Sequence, residues 1–154
     1  MKGSDIVLEH LAVVLGNEII ALNQYYLHSK ILKNMGFIKA SDKIYQESIE
    51  EMKHADKLIE RMLFLEGRPK MDLIGKLAIG QDIPKMYKND LELEHKAIQD
   101  LKSAIIDSEK EKDFVSHDLF QSILDQEEPH VEWIESQLKL IDSVGLENYL
   151  QSQI

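Results

Sequence analysis

Four glutamates occupy positions where apolar helical stripes would otherwise continue, and a histidine follows two of them three residues later. These six residues are Glu18, Glu51, His54, Glu94, Glu127 and His130. The interval from Glu18 to Glu51 is 33 residues, and so is the interval from Glu94 to Glu127. Residues three apart lie on the same face of a helix, so each Glu-x-x-His pair can contact one ion. Carboxylate and imidazole ligands suit iron or manganese, and the duplicated pattern predicts a two-metal site between two helical hairpins.

The glutamates interrupt stripes that should face the core. Read at steps of three and four, the first stripe is Leu8, Leu11, Leu15, Glu18, Leu22 and Tyr25. Three further stripes of the same kind have Glu51, Glu94 and Glu127 at the interrupting position. A buried carboxylate costs several kcal/mol unless it is paired or binds a cation. Four carboxylates that converge in a core therefore predict bound cations and disfavour the alternative of a metal-free helical scaffold.

Helical periodicity predicts an all-α fold with helices over 5–34, 38–66, 83–111, 114–143 and 146–152. The links at 34–37 and near Lys112 are short, which makes each neighbouring pair of long helices antiparallel. The link at 67–82 contains Pro69, Gly75 and Gly80 and is long for a bundle. One long crossover is typical of the ferritin-like four-helix bundle. The spacing of the glutamates and the Glu-x-x-His pairs resembles the ligand set of the di-iron members of that class.

Length and composition exclude several other classes. A chain of 154 residues fits a single domain over 1–154. The net charge of -10 disfavours a nucleic-acid partner, because a phosphate-binding face needs clustered lysine and arginine. The absence of cysteine excludes disulfides, thiolate zinc sites and cysteine-ligated iron-sulfur clusters. The first residues alternate between polar and apolar, so we expect neither a signal peptide nor a membrane span, and a cytoplasmic location.

Four sequence motifs resemble those of the bacterioferritins, the haem-containing ferritins of bacteria. They are LGNE at 15–18, NQYYLH at 23–28, EEMKHAD at 50–56 and GLENYLQ at 145–151. The motifs match in order and spacing, and the resemblance extends over the whole chain from 1 to 154. It implies a ferroxidase that oxidises ferrous iron with dioxygen or hydrogen peroxide and stores the ferric product as a mineral inside a shell of twenty-four subunits.

The resemblance also assigns roles to residues at the di-iron centre. Glu18 and His54 would bind one iron of each subunit, Glu94 and His130 the other, and Glu51 and Glu127 would bridge the two. Tyr25, two turns after Glu18 on the same stripe, would have a redox role. Two copies of Met52, from subunits related by a two-fold axis, would ligate one haem b per subunit pair. A ferredoxin would assist release of the iron. The helix at 146–152 is too short to be stable alone, so its apolar residues should be covered by neighbours in the shell.

Two positions depart from the pattern of the family. Gln46 replaces a histidine that, together with positions 47 and 50, forms a further iron site on the inner surface, so Glu47 and Glu50 are expected to be ordinary solvated acids. Pro129 lies between Glu127 and His130, where it removes a helical hydrogen bond and predicts a kink or bulge that shifts His130. His10, His28, His95 and His117 lack the paired spacing and are expected at the surface or in interfaces.

Three functional alternatives remain open at this point. The chain could be a haem-containing bacterioferritin, or a haem-free ferritin or related di-iron oxidase in which Met52 merely packs. It could also be a subunit with an impaired centre that co-assembles with an active partner in a mixed shell.

Overall fold

The computed structural model describes residues 1–72 and 75–154, so two residues of the long link lie outside the described part. The helices are α1 (Asp5–Asn34), α2 (Ile38–Phe64), α3 (Ile83–Lys110), α4 (Phe114–Val144) and α5 (Leu146–Ser152). No strand occurs among the described residues. The predicted all-α, ferritin-like four-helix bundle with a short fifth helix is therefore confirmed. No described helix is both long and apolar enough to cross a lipid bilayer.

The three turns that end α1, α2 and α3 share one backbone motif. After each helix a single residue adopts a positive φ, namely Gly36 at 91°, Glu66 at 64° and Lys112 at 58°. The next N–H then donates to a carbonyl five residues back, as Gly67 does to Met62 at 2.8 Å. Because Glu66 takes this conformation, α2 ends at Phe64 and not at the predicted residue 66. The tight turns after α1 and α3 bring each long helix back beside its predecessor.

The long link from α2 to α3 is held against the bundle by hydrogen bonds close to the start of α3. The Ala78 N–H donates to Gln24 Oε1 at 2.9 Å, and the Gly80 N–H donates to His28 Nε2 at 3.0 Å. Asn89 Nδ2 donates to the Ala78 carbonyl at 3.1 Å. A Cβ at Gly80 would lie 2.4 Å from the Met86 nitrogen, so only glycine fits this approach to the start of α3. These contacts fix the point at which α3 enters the bundle.

The prediction that α5 depends on neighbouring subunits for its burial is wrong for its central residue. Tyr149 is buried within its own subunit, and its hydroxyl lies 3.0 Å from that of Tyr87. A backbone hydrogen bond of 3.0 Å from Lys39 to Gln153 ties the end of the chain to the start of α2. Leu146 remains exposed, so only part of the apolar surface of α5 is left for other partners.

Two separate apolar clusters form the core, one toward each end of the bundle. Each cluster draws side chains from all four long helices. Along α1 the first cluster ends at Ile19 and the second begins at Ala21, and along α4 the corresponding residues are Leu124 and Ile134. The polar residues singled out by their spacing fall where the two clusters adjoin: Glu18 lies one residue before Ile19, and the other five lie between the clusters along their own helices.

Candidate metal centre

All six residues singled out from the sequence meet where the two apolar clusters adjoin. Their side chains are buried, with exposures between 1% and 4%. The helix α1 contributes Glu18, α3 contributes Glu94, and the other two long helices contribute one Glu-x-x-His pair each. One turn of helix separates the carboxylate from the imidazole in each pair, so both groups point into the same space.

The six side chains form two overlapping donor sets. The first set is Glu18, Glu51, His54 and Glu127, and the second set is Glu51, Glu94, Glu127 and His130. Within each set one ligand atom per residue can be chosen so that all lie within 4.8 Å of one another. Glu51 and Glu127 belong to both sets. The geometry therefore offers two adjacent four-ligand positions with two shared carboxylates.

Several donor atoms of this centre are buried without a hydrogen-bond partner. They are both carboxylate oxygens of Glu18, one oxygen each of Glu94 and Glu127, Nδ1 of His54 and Nε2 of His130. A buried polar atom left without a partner costs about 1–3 kcal/mol. Structural polar networks do not accumulate such atoms at one place. Unpaired acceptors that converge on a common space are the arrangement expected where cations bind.

The pKa values of several groups in the centre are shifted toward the protonated form. Burial raises the pKa of Glu127 well above its usual range, and the nearby charge of Glu51 adds to the rise. Burial likewise raises the pKa of Glu51. Burial alone would lower the pKa of His54, but its contacts with Glu127 and Glu51 outweigh this effect and raise the pKa to about 10. A cation would therefore compete with protons for these groups.

The Glu94 side of the centre contains the tyrosine singled out from the sequence. Tyr25 is fully buried, and its hydroxyl donates a short hydrogen bond to Glu94 Oε1. Burial would raise the pKa of Glu94, yet hydrogen bonds from Glu127, His130 and Tyr25 lower it. Burial and the charge of Glu94 raise the pKa of Tyr25, so the phenol stays protonated. Its ring lies edge-on to His130, with centroids 5.3 Å apart.

Pro129 does not remove His130 from the centre. The helix α4 continues through Pro129, and the second donor set contains both Glu127 and His130. His130 Nδ1 lies 3.3 Å from Glu94 Oε1, and its ring stacks on Trp133 with centroids 6.4 Å apart. Packing on Tyr25 and Trp133 from the two sides holds the imidazole in place beside the proline.

Two residues at the centre were not predicted to lie there, and one of them, Glu47, was expected to be an ordinary solvated acid. Gln126 Oε1 accepts a short hydrogen bond from His54 Nε2, and Glu47 Oε2 lies 3.6 Å from His130 Nδ1. Both residues line a cavity of about 290 Å³ that opens beside the donor sets. Neither lies on a core stripe, because each contacts its histidine from the rim of the bundle and not from the seam. Only the helix pairing, which brings α2 beside α4, reveals them.

The expectation of a surface or interface position is wrong for His28, which is fully buried. Its Nδ1 lies 2.9 Å from Asp90 Oδ1, and its Nε2 accepts from the Gly80 N–H at 3.0 Å. Since Nε2 accepts, the proton of the neutral imidazole sits on Nδ1, the nitrogen that faces the Asp90 carboxylate. Gln24 Nε2 donates to the same carboxylate oxygen at 2.8 Å. The four residues therefore hold the long link against α1 and α3, one turn before Glu94.

The three residues considered for an inner-surface site do not form a common donor set. Glu47 pairs with Lys43 at 2.9 Å, and Glu50 pairs with Lys53 at 3.0 Å. Gln46 is exposed. Among residues 1–72 and 75–154, none of the three belongs to a group that could hold a metal ion.

Met52 lies on the outer face of α2 and is 51% exposed. Tyr45, seven residues earlier, lies on the same face, and its ring is 6.3 Å from that of Tyr26 on α1. The face therefore presents a thioether beside two exposed aromatic rings. Methionine sulfur is one of the axial ligands that haem iron accepts, so these residues fit a haem held between two such faces.

Comparisons with known proteins agree with this geometry. A family model described as a ferritin-like domain matches residues 8–144. A bacterial ferritin of Synechocystis sp. is 42% identical over 155 residues, covering 100% of this chain and 99% of that protein. A bacterial ferritin of Pseudomonas aeruginosa is also 42% identical, covering 100% of both chains. A bacterioferritin of Brucella melitensis is 40% identical, covering 98% of this chain and 94% of that protein. The chain therefore belongs to the bacterioferritin family of ferritin-like proteins, a membership that supports iron storage as its function.

Proposed function

We propose that this chain is a ferroxidase of iron storage, which binds two ferrous ions per subunit, oxidises them and delivers ferric iron to a stored mineral. One observation carries the proposal: the two donor sets overlap at Glu51 and Glu127. In this assignment Glu18 and His54 bind one ion, Glu94 and His130 bind the other, and the shared carboxylates bridge them. Paired ions at short distance suit an oxidant that takes two electrons.

Charge balance supports ferrous iron as the substrate. Four ionised carboxylates carry four negative charges, which two divalent cations neutralise, while the imidazoles add donors without adding charge. Each ferrous ion gives up one electron. The two electrons reduce one hydrogen peroxide to two waters with uptake of two protons, or one dioxygen to hydrogen peroxide with uptake of two protons. The ferric ions then exceed the charge of the carboxylates, which favours their replacement by fresh ferrous ions.

We assign Tyr25 a redox role beside the second donor set. Its hydroxyl donates to Glu94, so loss of an electron from the ring can be accompanied by transfer of the phenolic proton to that carboxylate. The electron goes to the oxidant. Tyr25→Phe should leave ferrous binding unchanged and alter the rate at which the oxidant is consumed, as followed by stopped-flow absorbance.

The test of the ferroxidase assignment removes one terminal ligand from each donor set. The double variant Glu18→Ala/Glu94→Ala should bind no more than traces of ferrous iron anaerobically and lose rapid oxidation in stopped flow. The matched control is Glu9→Ala/Glu92→Ala, which removes exposed carboxylates from the same two helices. Rapid oxidation by the first double variant would refute the assignment. Absence of rapid oxidation in the wild type would favour the impaired subunit of a mixed shell.

We further propose that two subunits related by a two-fold axis hold one haem b between their Met52 side chains. A self-complementary face places the same residue of both copies on opposite sides of the axis. Haem bound there would supply a one-electron carrier at the subunit boundary. Reconstitution should give one haem per two chains in the wild type and none in Met52→Leu. Tyr149→Phe, a buried change away from this face, is the control. Equal haem uptake by Met52→Leu would refute Met52 as the ligand, and no uptake by the wild type would favour the haem-free alternative.

The remaining assignments follow from the relationship to bacterioferritins. We propose a twenty-four-subunit shell, formed by this chain alone or together with a second ferritin subunit, in the cytoplasm. A ferredoxin is the proposed reductant for release of the iron. Sedimentation velocity of the purified chain tests the shell, since a homopolymer, a dimer and a monomer differ widely in sedimentation coefficient.

A further inference from the structure

The outer nitrogens of the two imidazoles have different surroundings. His54 directs Nδ1 into the donor sets, 3.2 Å from Glu127 Oε1 and 3.5 Å from Glu18 Oε2. Its other nitrogen, Nε2, faces away from the donor sets and meets Gln126 Oε1. His130 directs Nδ1 toward Glu94, and its Nε2 is buried without a partner. Only the first imidazole has a polar group behind it.

The partner of His54 determines which nitrogen carries the proton. An amide oxygen can only accept a hydrogen bond, so Nε2 must be the donor. In the neutral imidazole this leaves the lone pair on Nδ1, the nitrogen that faces Glu18 and Glu127. Metal-binding histidines require the lone pair on the metal side, and a hydrogen bond at the other nitrogen fixes both tautomer and ring orientation.

We propose that Gln126 is a positioning residue, which holds His54 in the tautomer and orientation that bind a cation at the first donor set. This inference rests on the proposed metal-binding function and names a residue outside both donor sets. Gln126 acts through His54 and touches no ion itself. A consequence is that the two cation positions differ, since the second has no equivalent group behind His130.

Gln126 is well suited to a role that is separable from folding. It is exposed at the wall of the cavity beside the centre, while its amide oxygen reaches inward to His54. Leucine at this position keeps similar length and helix propensity but has no acceptor. Glutamate keeps the acceptor and strengthens it, because a charged acceptor makes a stronger hydrogen bond.

The experiment measures cobalt(II) binding to the assembled wild-type protein and its variants, by absorption in the d–d region and by calorimetry. Loss of a group that orients a metal-binding histidine lowers affinity roughly 10-fold to 100-fold, so Gln126→Leu should weaken binding of one cobalt by about 10-fold. Gln126→Glu should restore or exceed wild-type affinity. Ser122→Glu adds a charge one turn away on α4 and controls for simple attraction. Its effect on cobalt affinity should be smaller than the gain from Gln126→Glu.

A double-mutant cycle shows whether the effect passes through His54. In a His54→Ala background, Gln126→Leu should change cobalt affinity by less than about 2-fold, whereas in a His130→Ala background the full loss should persist. Equal losses in both backgrounds, or no loss in the wild type, would overturn the positioning role while leaving the proposed function intact. Failure of the wild type to bind two cobalt ions per chain would overturn both.

Discussion

Replacing Glu18 by leucine should make the apo protein more stable, although it removes a proposed ligand. Glu18 is 1% exposed, and neither of its carboxylate oxygens has a hydrogen-bond partner, its one ion-pair contact being with His54 Nδ1 at 3.5 Å. A buried polar group without partners costs about 1–3 kcal/mol, and leucine of similar volume would join the apolar clusters on either side. We therefore expect the free energy of unfolding of the apo protein to rise by about 1–3 kcal/mol.

For a domain of this size each kcal/mol shifts Tm by roughly 2–4 °C, so the expected increase in Tm is roughly 2–12 °C. Calorimetry of the apo protein measures it directly. A ligand at about 100 times its Kd stabilises the folded state by about 2.7 kcal/mol per site. Cobalt(II) should thus raise the Tm of the wild type substantially and that of Glu18→Leu less, because the variant has lost the first donor set.

Glu9→Leu is the matched control, since Glu9 is an exposed carboxylate on the same helix. It should leave both the apo Tm and the response to cobalt close to those of the wild type. The reasoning is refuted if Glu18→Leu lowers the apo Tm, because the carboxylate would then stabilise the fold without metal. Retention of two cobalt ions per chain in Glu18→Leu would equally exclude Glu18 as a ligand.

Three further predictions concern protons and the proline. The pKa of His54 is raised from 6.5 to about 10, so its imidazole is protonated at pH 7, and burial also raises the pKa of Glu127. Cobalt binding should therefore release protons and strengthen as pH rises. Calorimetry in buffers of different ionisation enthalpy measures the release, and proton uptake would contradict it. The stabilisation that protonated His54 gives the apo fold is complete below pH 6.5 and lost as pH rises toward 10, so apo Tm should fall over that range. Pro129→Ala should raise Tm, since an interior helical proline costs about 3 kcal/mol, and should retain two cobalt ions; a lower Tm or loss of one ion would show that the proline shapes the centre.

The periodicity of the sequence was sufficient to predict the helices and the convergence of the six polar residues. Glu18 and Glu94 break apolar stripes that can only face inward, so their burial follows from the pattern alone. Helix ends were less predictable, because the end of α2 depends on Glu66 adopting a positive φ that is more typical of glycine. Tertiary contacts decide such a conformation.

Specific side-chain contacts between segments that are distant in sequence could not be predicted from periodicity. His28 lies one turn after Gln24 on α1, but its partner Asp90 is 62 residues away, and nothing in the spacing connects them. Gln126 likewise lies 72 residues from His54 and occupies an exposed position of α4. The burial of Tyr149 depends on Tyr87 and Gln137, which come from two different helices. An apolar stripe predicts which face of a helix is buried, but it does not predict which side chains of other helices contact that face.

Because the interior is divided into two apolar clusters, the side chains between them can be replaced without disturbing either cluster. Each cluster contains residues of all four long helices, so apolar packing stabilises each end of the bundle separately. The polar side chains between the clusters could therefore be redesigned together. Hydrocarbon side chains there would give an inert container, and a different mix of oxygen and nitrogen donors would retune the choice of metal, with neither end of the bundle redesigned.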